Sequence, residues 1–330
     1  MRRLWRAWVA VTSEKEGGAT LAAFRMAVAL VMVSTLVSVS VRGVVDALWL
    51  PVSAGGARPV GSGYFVLALL GGPEPLTVWL LIGVGIVSGG LMAAGFGGRA
   101  IIALAVCSYR AVSTIGYGSG SYDAMIFNAG WLLFLGDATA TWSVDCLRRE
   151  GKWRSLRKVS AWPRYLLVLQ LVIIYTATGL QKTSASWTFA DDYSALYWFM
   201  QDPTWIRFGS TSDWVAAAYP VTQAMTFVVW HFEVGAPLLL IVYYLRWTSH
   251  RGGRLRRWVL RHDPRRLFTA VGLGMHLGIA LLMDMGPFSY ISAAYYLCLW
   301  RPEEIEAFAA SVPVAVRPVA RTAASASSSA

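Results

Sequence analysis

The stretch YLLVLQLVIIYTATGLQKTSASW, residues 165–187, decides the fold of this chain. Residues 165–180 are apolar and uncharged, the composition of a helix that enters a bilayer. The run then meets one lysine, Lys182, with Trp187 five residues beyond it. A lysine at the mouth of a membrane helix either anchors that helix at the interface or does chemistry there.

The rest of the chain has the same character. Of its 330 residues, 56% are hydrophobic and 14% charged, and the mean hydropathy is +0.50, as in a polytopic membrane protein. Lysine and arginine outnumber the acidic residues by 29 to 18, but the excess sits in short runs between apolar segments. That pattern marks cytoplasmic loops, so no nucleic-acid partner is expected. Cys107, Cys146 and Cys298 lie far apart without a CxxC spacing, and neither a disulfide framework nor a metal site follows from them.

Working outward from residues 165–180, the apolar runs are 26–41, 77–98, 100–118, 124–142, 222–245, 267–283 and 290–300. With the central run they predict an all-α, integral membrane bundle of roughly eight segments, some short enough to tilt or re-enter. The basic runs at 148–164 and 246–266 are cytoplasmic by the positive-inside rule, which places Lys182 on the outer face and both termini in the cytoplasm. Three regions follow: a basic interfacial segment at 1–19, a membrane domain at 20–302, and a cytoplasmic low-complexity tail at 303–330. The expected location is a multi-pass position in a membrane, the cytoplasmic membrane in a bacterium, with membrane lipid as a partner. Gly85 and Gly89 have the small-xxx-small spacing that lets helices approach closely.

The candidate functional residues are the polar groups inside these runs. On a helix Tyr175, Thr178 and Lys182 share a face, which brings a phenol and a hydroxyl towards the amine. From periodicity alone, the commoner role for Lys182 is an anchor snorkelling to the interface. His276 and Asp284, eight apart, share a broad polar face if one helix carries both. Glu233 and Arg110 are each read first as half of an interhelical ion pair and second as a ligand-binding residue. Pro237, four residues after Glu233, kinks the helix there. His231 and Glu233, two apart, point in different directions. No nucleotide loop, zinc-protease helix or nucleophile elbow is present.

The run DATATWSVD, residues 137–145, resembles the D-A-x-x-x-W-S-V-D signature of the vitamin K-dependent γ-glutamyl carboxylases and of their bacterial relatives, the HTTM membrane proteins. Residues 175–187, Y-x-x-x-G-L-Q-K-x-x-x-x-W, resemble the family segment in which a lysine pair precedes a tryptophan. Residues 276–290 are similar to its histidine-containing helix and aromatic Gly/Pro turn. The resemblance implies a lysine base acting on vitamin K or another quinol at the outer face, carboxylase-like carbon–carbon bond formation, and a peptide or protein substrate. It makes Lys182 the base and His276 a residue of the quinone pocket. Gln181 stands where the family has its first lysine, and Thr139, Ala140 and Thr141 stand where the animal enzymes have Asn-His-Tyr. The lumenal region that follows the membrane domain in those enzymes has no counterpart after Trp300. The alternative is a non-catalytic HTTM-type protein that assists maturation or secretion of a partner peptide, or binds lipid.

Overall fold

Helices form at all eight apolar runs, and their lengths divide them into two groups. The computed structural model describes residues 2–60, 63–116, 120–207 and 212–311, apart from the side chains of residues 2–4, 7, 8, 212 and 213. Within it the main helices are α1 (Arg2–Ser13), α2 (Ala19–Val41), α3 (Pro75–Ala94), α4 (Gly98–Ser113), α5 (Ser121–Leu135), α6 (Val144–Glu150), α7 (Trp162–Gln181), α8 (Tyr219–Val234), α9 (Leu238–Trp247), α10 (Arg265–Leu282), α11 (Phe288–Tyr295) and α12 (Pro302–Ser311).

Four of them, α2, α3, α7 and α10, are long and apolar enough to cross a membrane, and α8 with α9 makes a fifth crossing if the bent pair is one span. The protein is therefore a multi-pass membrane protein; of the roughly eight expected segments, four or five are full-length spans among the described residues, and the others are shorter helices. Helices α4 and α5, with 16 and 15 residues, rise about 24 and 22 Å, short of a hydrocarbon core about 30 Å thick. Helix α5 stops at Leu135 because Asp137 takes a left-handed backbone, φ 54°, and the chain turns away there. The all-α class holds with one addition, a two-stranded antiparallel pair of β1 (Lys15–Gly17) and β2 (Lys158–Ser160). Helix α12 occupies Pro302–Ser311, at the start of the expected tail; residues 312–330 lie outside the described ones.

The local chemistry explains the breaks and close approaches. Pro237 has no N–H to give the Glu233 carbonyl, which takes the Ala236 N–H at 3.2 Å instead. The chain bends by 52° between α8 and α9. On α3, a Cβ at Gly85 would stand 2.8 Å from Leu36, and one at Gly89 2.7 Å from Val33, both on α2. The small-residue spacing is thus the α2–α3 contact.

One end of the bundle is organised by three buried arginines. Arg25 on α2 donates to the carbonyls of Ala138 (2.8 Å), Trp142 (2.7 Å) and Ala93 (3.3 Å). Arg164, on the first turn of α7, holds Glu16 through two bonds of 2.7 Å; pairing of β1 with β2 sets Glu16 in place. Arg265 bonds Asp263 (2.8 and 2.7 Å), Glu304 (3.1 and 2.6 Å) and the Leu299 carbonyl (2.9 Å). The run 137–145 belongs to this end. Ser143 caps α6 by accepting the Cys146 N–H, and Asp145 accepts the N–H groups of Gly97 and Gly98 at 3.0 and 2.7 Å.

The Arg265 cluster makes stability depend on acid. Burial opposes the charge on Asp263 and Glu304, but hydrogen bonds and the positive charge of Arg265 outweigh it and hold both carboxyls below the usual carboxylate range. A carboxyl depressed on folding contributes stability above its unfolded value, about 4, and loses it as pH falls through the folded value. The thermal midpoint of the detergent-solubilised protein should hold between about pH 7 and 5 and drop below about pH 4. Asp263→Asn should start lower at neutral pH and fall less steeply; an acid slope equal to that of the wild type would count against this cluster as its source.

Candidate functional site

Helix α7 carries the site along one seam and opens it at its last turn. Gly179 makes the seam, because a Cβ there would lie 2.9 Å from Glu233 Cβ and 2.9 Å from the Val234 nitrogen. The backbone of α8 therefore rests directly on α7. One turn later Lys182 ends the helix, and its Nζ forms an ion pair with Glu233. The ammonium also stands 4.4 Å from the centre of the Trp187 ring, which the turn Ala185–Trp187 folds back over it. The Glu233 side chain is 8% exposed and that of Lys182 21%, so the carboxylate is the enclosed partner.

A second cluster lies deeper along α7. The Tyr175 hydroxyl is 2.7 Å from His276 Nε2 on α10 and 2.6 Å from the Tyr296 hydroxyl just after α11. Tyr175 has one hydroxyl hydrogen, so it donates to one neighbour and accepts from the other. Under either arrangement His276 Nδ1 is buried without a hydrogen-bond partner. The phenol of Tyr296 reaches this position because Gly272 leaves room; a Cβ there would stand 1.6 Å from the hydroxyl. The Phe232 ring packs edge-on to Tyr175 at 5.1 Å, and Glu233 is the next residue. Tyr175 and Lys182, seven residues apart, are separated by about 10 Å of helix.

The sequence-derived residues thus divide. Lys182 joins Glu233, and Tyr175 joins His276. The Tyr175 hydroxyl turns to His276 and Tyr296, and Thr178 bonds back to the carbonyls of Ile174 and Tyr175, both at 3.0 Å, so neither hydroxyl completes the amine's surroundings. Arg110 does not reach Glu233; its guanidinium lies over Phe127 at 5.1 Å. Asp284 does not share a helix face with His276, because α10 ends at Leu282 and Asp284 lies in the extended chain beside residues 205–207. His231 is exposed while Glu233 is buried, as their two-residue spacing predicts. Tyr296 was not among the candidates, and its only trace in the sequence is Gly272, four residues before His276 and on the same face. Among the described residues no group of three or more His, Cys, Asp or Glu is arranged to hold a metal.

The HTTM domain family matches residues 14–303, most of the chain. The chain belongs to the HTTM family. Its HTTM domain begins at Glu14, which places β1 inside the domain, together with the Arg164–Glu16 pair that β1 positions. It also contains both site clusters and all three buried arginines. No curated protein and no solved structure matches the chain. The run 137–145 lies at the opposite end of α7 from Lys182. Gly136 packs on Pro163, and the 19 residues from Pro163 to Lys182 correspond to about 28 Å of helix. Thr139, Ala140 and Thr141 are packed side chains of that end, where Thr141 accepts the Ser155 N–H at 3.0 Å.

Proposed function

We propose that this HTTM protein is a membrane enzyme that uses Lys182 as a base on a lipophilic quinol at the outer face, with Glu233 as its proton partner. The observation that carries this reading is the Lys182–Glu233 pair itself, an amine and an enclosed carboxylate in contact beneath an indole. A lysine serves as a base only when neutral. A proton passed from Nζ to the Glu233 carboxylate leaves both groups uncharged, so the amine lone pair becomes available without stranding a buried charge. The amine then accepts the proton of a bound hydroxyl, and Glu233 can return its own proton to the outside when the site opens.

A quinol supplies the acidic hydroxyl, and one feature of the chain fits it. His276 Nδ1 is a buried polar atom without a protein partner, so a ligand oxygen would complete its hydrogen bonding. Phe232, Phe268 and Phe288 around Tyr175 and His276 offer the apolar walls a ring system needs. The HTTM membership and the resemblance at residues 175–187 support the quinol as the ligand class and carboxylase-like chemistry on a peptide as the reaction class.

A second reading rests on the same contacts. Lys182 already has its charge met by Glu233 and Trp187, as a structural anchor would. That favours a non-catalytic HTTM protein that binds lipid or assists a partner peptide.

One experiment separates the two. Lipid extracts of the purified protein are compared by mass spectrometry with extracts of the source membrane, and quinol consumption is measured for the wild type and for Lys182→Met/Glu233→Gln. The enzyme reading expects quinone enrichment and a loss of about 10²–10⁴-fold in turnover. Unchanged turnover, or an extract without enriched quinone, leaves the anchor reading.

A further inference from the structure

A cavity of about 990 Å³ lies away from the Lys182–Glu233 pair. None of Lys182, Glu233, Tyr175, His276 or Tyr296 lines it. One wall is a face of α2 that runs from Leu30 through Ser34 and Ser38 to Arg42. The twelve residue steps from Leu30 to Arg42 rise about 18 Å, close to the depth of one leaflet, half of a core about 30 Å thick. Two of its lining residues present apolar surface outward, Leu30 at 61% and Tyr290 at 57% exposed. The groove therefore has the length of a lipid chain and exposed apolar side chains along its lining.

Its polar end carries both signs of charge. Arg42 and Asp284 line it, and among the described residues neither side chain has a hydrogen-bond or ion-pair partner. Among the described residues, Arg207 spends one donor, on the Met283 carbonyl at 3.3 Å. Asp123 adds no free charge, because its oxygens already take the Tyr109 hydroxyl at 2.8 Å and the Gly120 N–H at 2.9 Å. Two arginines and one open carboxylate among the described residues therefore line the groove. A guanidinium matches a phosphate oxygen pair, and a carboxylate matches an ammonium that can donate hydrogen bonds.

We propose that this groove binds a phospholipid with a primary-amine headgroup, its phosphate on Arg42 and Arg207, its ammonium on Asp284, and one acyl chain along α2. A choline headgroup cannot donate to Asp284, and a glycerol headgroup places no cation there. The site is separate from the Lys182–Glu233 pair and stands or falls independently of it.

The test is native mass spectrometry of the full chain, delipidated in detergent and titrated with phosphatidylethanolamine, phosphatidylcholine and phosphatidylglycerol of identical acyl chains. One ethanolamine lipid should be retained about tenfold more tightly than either of the others, the margin a charge-assisted hydrogen bond supplies. Arg42→Gln should weaken it about tenfold. Asp284→Asn should reduce it to the choline level while leaving phosphatidylglycerol unchanged. Ser38→Phe, which fills the groove, should remove the retained lipid whatever its headgroup, and soluble glycerophosphoethanolamine should not compete. Equal retention of the three headgroups, or an ethanolamine preference that survives both charge variants, overturns the proposal. Competition by the soluble headgroup would overturn the lipid as occupant.

Discussion

Arg25→Met should destabilise the protein by about 3–5 kcal/mol, the cost of taking a charged donor away from three backbone carbonyls. The arginine is fully buried and its fork joins three pieces of chain: the end of α3 at Ala93 and the turns at Ala138 and Trp142. The Ala138 carbonyl is buried, and those of Ala93 and Trp142 are partly so. Hydrogen bonds to a charged donor are worth about 1.5–3 kcal/mol each, and relief of the guanidinium's own burial returns part of their sum. Arg25→Lys should recover only a fraction, since a compact ammonium cannot reach three carbonyls set apart for a planar fork. Denaturation midpoints in mixed micelles measure both variants. A loss under about 1 kcal/mol for Arg25→Met would mean that the 137–145 joint is held by its other contacts.

The second large effect is a pattern across three variants. Lys182→Met strands Glu233, whose side chain is 8% exposed, and should cost about 3 kcal/mol. Glu233→Leu leaves a lysine that is 21% exposed and can swing to the interface, so water screens it and the cost should be nearer 1 kcal/mol. Replacing both removes the stranded charge, and stability should return close to wild type. On the proposed function, quinol turnover should not return, because that reading makes Lys182 the base and Glu233 its proton partner. Strictly additive losses of stability would show that the two groups do not interact across the α7–α8 seam.

Hydropathy located the eight helical runs, the glycines at 85 and 89 marked the α2–α3 contact, and Pro237 marked the bend. What escaped was decided at the ends of helices. Nothing in 124–142 distinguishes an apolar residue inside a span from one in a joint, and the reversal at Asp137 is a backbone property visible only when the chain is folded. The role of Arg25 leaves no mark in the sequence, because its partners are carbonyls, which every residue carries. The β1–β2 pair joins three-residue strands about 140 residues apart, too short for an alternation signal.

The site shows the same division. Intramembrane charge singles out Lys182 and Glu233 in the sequence, but their pairing across 51 positions needs Gly179 to let the helices touch. The same rule selected Asp284, which proved to follow a helix end and to line the other cavity. Comparison with the carboxylase signature drew attention to Thr139, Ala140 and Thr141, whose place about 28 Å along α7 from Lys182 makes them part of the bundle's frame.

Helices α4 and α5 are too short to match an average bilayer, and each still offers apolar surface outward, at Leu104 and Leu135. Mismatch of this kind is met by deforming the softer body, which is the lipid. The membrane should dimple by several ångströms along that flank, drawing in shorter or more disordered acyl chains and giving the protein a preference for thin regions of the membrane it occupies.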